Sequence, residues 1–333
     1  MTICIAFRSR AEAEAFGGGA PTRACRPRCG SRRTDATVIL QLAQHGDLDL
    51  DHPVSRYWPG VPNGNQITIE QLMTMHSGLY NYSLSESLNR SIDEHPTRSY
   101  RPQELLKVAF AARPEPKPGG AFEYCNTNTV LLGLIAERLD GRPLAQQFRE
   151  RLFAPLGMKD TLMPPLTMSG LPSPHPQGYM YGTNVSTLHT ERLPPEELKK
   201  ARDGKLKPND VTHSNPSWAG AAGAAISTAK DMATWVEGLC DGSLLNQAWQ
   251  RKRLDSIISS DPNSPGAAGY GLAIAKFGPL YGHTGEIPGF QTFVGYDPDK
   301  HTTLVVLTNL KASPEGDPPA TEIARELIGR IYS

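Results

Sequence analysis

The chain has no net charge to account for and no apolar run long enough to cross a bilayer. Its 333 residues carry 34 basic and 34 acidic side chains, so the charge balance points to neither nucleic acid nor an anionic membrane as partner. No stretch approaches the ~18 apolar residues that a spanning helix needs. The opening MTICIAFRSRAEAEAF has a short apolar patch followed by charges, and it makes no recognisable signal peptide. Cysteines are few and odd in number. Of the five, Cys4, Cys25 and Cys29 crowd the first thirty positions while Cys125 and Cys240 stand alone, which does not make a disulfide framework. The nine histidines fall at no HExxH or similar spacing, so neither a metal nor any other cofactor is expected.

What is plentiful is proline (29) and glycine (31), which implies many fixed turns and long surface connections. The hydrophobic share of 38% is enough for an ample core in a chain of this length. Residues 1–36 are rich in Arg, Ala, Gly and Cys without sustained periodicity, and are expected to be disordered or a misassigned segment. Residues 37–333 form the domain proper. Thr37 to His45 reads as a buried helix stopped by Gly46, and a second helix starts at Thr68. Further helices are expected near Pro102 to Ala112, over Val130 to Leu139, after Pro143, and over Ser227 to Leu239. The part from about 60 to 220 is helical and loop-rich. Strand patterns follow between about 268 and 310: Tyr270 to Phe277, Phe290 to Asp297, then Thr302 to Asn309, with Asp297-Pro298-Asp299 as a hairpin turn. A helix over Glu322 to Tyr332 closes the chain. This order predicts an α+β fold, an antiparallel sheet flanked by helices plus a mainly helical subdomain.

Two short motifs carry the chemistry. Tyr124-Cys125-Asn126 places a phenol and an amide one residue apart at the mouth of an apolar helix. His283-Thr284-Gly285 lies between strand-like runs, where glycine lets a ligand approach backbone. Taken singly, Tyr124 reads equally as a core aromatic, Asn126 as the N-cap of a helix starting at Thr127, and His283 as a polar edge residue. Cys125, between them, is expected to point into the core as a small apolar side chain. Two decoys are set aside. Ser227-Thr228-Ala229-Lys230 is a literal Ser-x-x-Lys, but Thr228 with Asp231 makes a capping pair. Asp47, Asp49 and Asp51 imitate a calcium loop that fails at His52 and Trp58.

Together with their surroundings, these motifs resemble the serine β-lactamase and D-alanyl-D-alanine carboxypeptidase superfamily, on its class C and carboxypeptidase/esterase side. The likeness lies in EYCNTNTVLLGLIAERLDGRPLAQQFRERLFAPLGMKDT and YGHTGEIPGFQTFVGYDPD. It extends through ILQLAQHGDLDLDHPVSRYWPG, ITIEQLMTMHSGLYNYS and NPSWAGAAGAAISTAKDMATWV, and so covers residue 36 to the end. The resemblance implies that Tyr124 acts as general base, that Asn126 contacts the substrate carbonyl side, and that His283 is the basic residue of the third motif. Thr284 would face the substrate carboxylate, Gly285 would be the spacing residue, and the backbone N–H of Glu286 would be an oxyanion donor. Relatives of this kind usually work outside the cytoplasmic membrane.

The family's Ser-x-x-Lys should begin about nine residues before Val38. That register puts Cys29 at the serine and Arg32 at the lysine; Ser31 is the nearest serine and the candidate nucleophile. The departure matters physically. A phenol near pKa 10 is a poor base at neutral pH, and lowering it by about three units takes roughly 4 kcal/mol. One cation at ~4 Å and effective dielectric ~20 supplies about that much. Arginine can stabilise a phenolate but cannot shuttle the proton. The expected function is acyl-enzyme hydrolysis of a small peptide amide, an ester or a β-lactam, with D-alanyl-D-alanine carboxypeptidase as the specific label. An esterase and a catalytically inactive binding member are the alternatives.

Overall fold

The computed structural model describes residues 3–7, 34–112, 114, 117–259 and 268–333. Its centre is a seven-stranded antiparallel sheet in the order β1-β9-β8-β7-β6-β5-β4. The strands are β1 (Ile3–Phe7), β4 (Ile258–Ser259), β5 (Gly269–Tyr270), β6 (Ala275–Phe277), β7 (Leu280–Ile287), β8 (Phe290–Asp297) and β9 (Thr302–Thr308). A two-stranded ribbon of β2 (Tyr179–Met180) and β3 (Asn209–Asp210) lies apart from it. Ten α-helices are described: α1 (Thr34–His45), α2 (Ile69–Met73), α3 (Glu86–Glu94), α4 (Pro102–Ala111), α5 (Asn126–Asp140), α6 (Leu144–Phe148), α7 (Pro195–Arg202), α8 (Ala229–Cys240), α9 (Gln247–Asp255) and α10 (Pro319–Ile331). The α+β expectation therefore holds.

Both faces of the sheet are covered, so β8 and β9 read as unbroken buried runs rather than as alternating strands. On one face Leu280, Phe293, Leu304 and Val306 meet Ala320, Ala324 and Leu327 of α10. On the other, Val294, Tyr296, Val305 and Leu307 join the main core with α1, α5 and α8. Each fully buried side chain of this size contributes about 1.5–3 kcal/mol, and it is this two-sided burial that fixes the register of β7 against β8.

Local chemistry sets the ends of the elements. Gly46 stops α1 and Gly141 stops α5, both in the left-handed region at φ 86° and 76°, as their sequence positions suggest. Thr68 accepts from the Gln71 amide at 3.1 Å while the Gln71 side chain accepts from Thr68 N at 3.0 Å, a reciprocal cap for α2. The hairpin at Asp297 closes as expected, its Oδ1 accepting from Asp299 N at 2.9 Å and Lys300 N at 3.2 Å.

Several expectations shift. The first helix begins at Thr34, three residues early. Cys125 is the N-cap of α5, so Asn126 opens the helix instead of capping it. The helix after Pro143 passes into a π turn over Arg149–Phe153. The strand expected from Tyr270 to Phe277 is split into β5 and β6 around Ala273, whose φ of 51° is incompatible with extended backbone. His283 sits inside a continuous eight-residue strand. Gly282, just before His283, serves close packing, for a Cβ there would lie 1.9 Å from the Val294 carbonyl oxygen. Ile3–Phe7, within the segment set apart by composition, pairs antiparallel with β9 from Ile3↔Thr308 to Phe7↔Leu304.

Candidate active site

The wall that carries Tyr124 is built by one segment clamping another. The stretch Ser77–Ser83 lies against the head of α5 and meets nearly every polar group there. Asn81 Nδ2 donates to the Tyr124 carbonyl at 3.4 Å, and its Oδ1 accepts from Asn126 N at 3.2 Å. Asn126 Nδ2 donates to Ser83 Oγ at 2.9 Å. Thr127 Oγ1 donates to the Tyr80 carbonyl at 2.7 Å and accepts from Tyr82 N at 3.2 Å. Ser77 Oγ donates to Asn128 Oδ1 at 2.7 Å, and Asn128 Nδ2 donates to the Leu72 carbonyl at 3.0 Å. Cys125 is buried and its thiol donates to the Leu79 carbonyl, so it points into the core as expected. Ahead of the clamp Met75 holds φ 64°, a sparsely populated conformation for a non-glycine residue. Its carbonyl accepts from Glu123 N, and the His76 carbonyl accepts from Gly119 N. The strained residue therefore joins the two segments that deliver His76 and Tyr124.

The opposite wall is β7. Its pairing with β8 runs from Tyr281 to Ile287, whereas β6 covers only Leu280 to Gly282. Beyond Gly282 the outer edge of β7 has no strand partner among the described residues. His283 points to the same sheet face as its register partner Val294, in the main core. Its Nδ1 hydrogen-bonds the Thr284 carbonyl. Its Nε2 is buried, in a residue that lines the cavity between the walls.

The two walls meet around a cavity of about 440 Å3 lined by His76, Phe122, Tyr124, Tyr270, His283 and Thr284, with Ile258 at its rim, a size suited to a small ligand. The ring centroids of Tyr124 and His283 are 6.2 Å apart at 70°, and Tyr270 stands edge-on to both, 6.4 Å from Tyr124 and 5.8 Å from His283. Phe122 and Ile258 are 49% and 69% exposed, two of the three large hydrophobic side chains so exposed among the described residues. Apolar surface left in water at one spot marks a contact site.

Of the residues singled out from sequence, Tyr124, His283 and Thr284 line this cavity. Asn126 sits one residue beyond Tyr124, held by Asn81 and Ser83. Gly285 and Glu286 follow on the free edge of β7. Ser31, and with it Cys29 and Arg32, lies outside the described residues. Thr228 caps α8 by accepting from Asp231 N at 3.2 Å, which disposes of the Ser227–Lys230 decoy. Sequence reasoning missed Tyr270, Phe122, His76 and Asn81. Phe122 stands two residues before Tyr124, on the same side of an extended segment, and that spacing is a signal available without a structure.

This arrangement, a covered antiparallel sheet whose strand β7, past the end of β6, faces a Tyr-x-Asn helix head, defines a class: the chain belongs to the Beta-lactamase family, whose model matches residues 36–328. It is 27% identical over 294 residues to the D-alanyl-D-alanine-carboxypeptidase/endopeptidase AmpH of Escherichia coli strain K12, covering 81% of this chain and 67% of that protein. Among solved structures it is similar to a D-stereospecific amidohydrolase from Streptomyces sp., with 31% identity, TM-score 0.75, and coverage of 88% of this chain and 84% of the other. It is also similar to the D-amino acid amidase of Ochrobactrum anthropi SV3, with 25% identity, TM-score 0.78, and coverage of 99% and 92%. The chain spans about half to two thirds of the length of the curated relatives it matches.

Proposed function

We propose that the chain is a serine-type hydrolase that cleaves an amide or ester bond next to a D-amino acid residue through an acyl-enzyme. Relatives named for D-alanyl-D-alanine carboxypeptidase and for D-stereospecific amide hydrolysis support that substrate class. The observation that carries the reading is Tyr124 facing His283 across one cavity, 6.2 Å between rings, beside an unoccupied strand edge. In this reading Tyr124 takes the nucleophile's proton and returns it to the leaving group. His283 is the basic residue of the opposite wall, its ring 6.2 Å from that of the phenol. Asn126 contacts the substrate carbonyl side, Thr284 faces the substrate carboxylate, and the Glu286 N–H on β7 is an oxyanion donor. Ser31 is the proposed nucleophile.

A second reading, a member that binds such substrates without turnover, is favoured by Cys29 and Arg32 standing where serine and lysine are expected in the sequence. Incubation with a fluorescent penicillin separates the two. Covalent labelling that is lost in Ser31→Ala is the expected result for the hydrolase. A folded protein that takes no label overturns it, because losing a nucleophile costs on the order of 10⁶ in rate in the well-characterised subtilisin case.

A further inference from the structure

The two walls of the cleft are joined by a segment that the proposed chemistry does not use. Residues 183–193, between β2 and α7, are fastened at both ends. At the first end the Asp93 carboxylate of α3 accepts from Asn184 N at 2.8 Å, Asn184 Nδ2 at 2.7 Å and Val185 N at 3.0 Å. That helix is tied to the Tyr124 wall, for Asn89 Nδ2 donates to the Ser83 carbonyl at 2.8 Å and Ser83 Oγ holds Asn126. At the other end Glu191 Oε1 lies 2.9 Å from Lys311 Nζ, which donates to Thr187 Oγ1 at 3.3 Å and stands 3.9 Å from Glu286 Oε1. Glu286 belongs to β7, two residues beyond Thr284. Leu193 N donates to the Pro314 carbonyl at 3.0 Å and completes this end.

The two fastenings differ in kind. At Asp93 every donor is an amide, a group that does not titrate in the range of a carboxyl. At Glu191 two carboxyls share one ammonium. The Lys311 side chain is only 13% exposed, against 23% for Glu191 and 36% for Glu286, so water screens the group incompletely. Two carboxyls held this close favour a proton between them. We propose that residues 183–193 are a strap between the two walls, whose Glu191 end is held by a shared proton and loosens as the medium turns alkaline while its Asp93 end stays fixed. None of these residues lines the cavity, and the strap requires no assumption about the reaction performed there.

The electrostatics agree. Burial pushes the Glu191 carboxyl up. Glu286, facing it from β7, pushes it further by its charge and by a hydrogen bond between the two carboxyls, and Lys311 from the segment after β9 only partly offsets this, leaving Glu191 at about 7. Gln291 of β8 and Thr187 of the strap itself add neutral hydrogen bonds to Glu286 and Lys311, so the charged groups facing Glu191 are those two. With this end open, Glu191 stands in water with an ordinary value near ~4.3. The fastened form therefore binds the proton more tightly than the open one. Its advantage is full below the open value, is lost as pH rises from there to about 7, and changes no further above it.

Hydrogen exchange of single amides between pH 5.5 and pH 8.5 tests the strap, read as protection factors so that the intrinsic pH dependence of exchange is divided out. The Leu193 amide reports the Glu191 end, and the Asn184 and Val185 amides report the Asp93 end. Taking Leu193 relative to the other two removes any change shared by the whole fold. That relative protection should fall by about tenfold from pH 5.5 to pH 7.5 and then level off. Glu191→Gln has no proton to lose and Glu286→Gln removes the facing charge, so each should abolish the fall. Asp93→Ala should lower the protection of Asn184 and Val185 at every pH. Protection of Leu193 that runs parallel to Asn184 and Val185 across the range overturns the proposal, as does a fall that survives in Glu191→Gln.

Discussion

The heads of α1 and α5 are both buried in the main core, yet their polar groups are treated differently. At α5, Thr127 and Asn128 are completely buried, and the Thr127 hydroxyl and both ends of the Asn128 amide have partners in the Ser77–Ser83 stretch or at the end of α2. At α1, Asp35 is equally buried, but neither carboxylate oxygen makes a hydrogen bond of ordinary geometry. Burial drives its pKa well above the usual carboxylate range, and the backbone amides of Ala36 and Asp35 itself only partly offset this. Two residues on, Thr37 is satisfied by Arg253 Nη2 at 2.8 Å. The contrast is therefore local to the first turn of α1. One helix head is built to hold a position, while the other holds a carboxyl whose ionisation its buried surroundings oppose, immediately after the stretch where the family's nucleophile is expected.

Breaking the satisfied head should have the largest effect. Asn128→Leu leaves the buried Ser77 hydroxyl without its acceptor and takes from the Leu72 carbonyl the shorter of its two hydrogen bonds, Met75 N at 3.4 Å remaining. The expected loss is about 2–4 kcal/mol of unfolding free energy, read from urea denaturation. A loss below about 1 kcal/mol would mean that the clamp contributes far less than its geometry suggests.

Relieving the unsatisfied head should work in the opposite direction. Asp35→Asn keeps the shape and removes the buried charge, with an expected gain of about 1–3 kcal/mol at pH 7. The sign follows from linkage. A carboxyl whose folded pKa is raised binds its proton more tightly in the folded state, so stability falls as pH climbs from the unfolded value near 4 through the folded one. The variant's advantage should accordingly vanish near pH 3.5 and grow as pH rises until it passes the folded pKa. Denaturation curves for both proteins across that range check it, and an advantage that does not depend on pH would show that the buried charge is not its cause.

The same contrast governs how much was legible in the sequence. Helices with long apolar stretches and an obvious stop, such as α5 with Gly141, follow from local chemistry, as do the hairpin at Asp297 and the Thr228 cap. Tyr124 and His283 were also singled out from residue type and spacing, and the structure brings both to one cavity. What was not readable is non-local. Asn81 has no periodic signature, and it becomes a positioning residue only because it lies against Tyr124 and Asn126, more than forty residues away. The break between β5 and β6 comes from the backbone of Ala273, a residue type with no preference for positive φ. Glycine beside His283 was read as letting a ligand approach backbone. The structure gives Gly282 another reason, the Val294 backbone pressed against the place where a side chain would stand.

The smallest predicted change in stability falls on Asn81, and it is the most discriminating for function. Its amide holds the Tyr124 carbonyl and the Asn126 N–H at once, and its Oδ1 also accepts from Ser83 Oγ at 2.9 Å. Asn81 is only half-buried, so water can replace part of what Asn81→Ala removes, and the expected stability loss is about 1 kcal/mol. The motif it holds must place a phenol within hydrogen-bond reach of its target, where a misplacement of about 1 Å costs on the order of a hundredfold. The rate of fluorescent penicillin labelling should therefore fall by tenfold or more while the thermal midpoint moves by only a few degrees. If labelling and midpoint decline together in proportion to stability, the clamp is ordinary packing and not a positioning device for Tyr124.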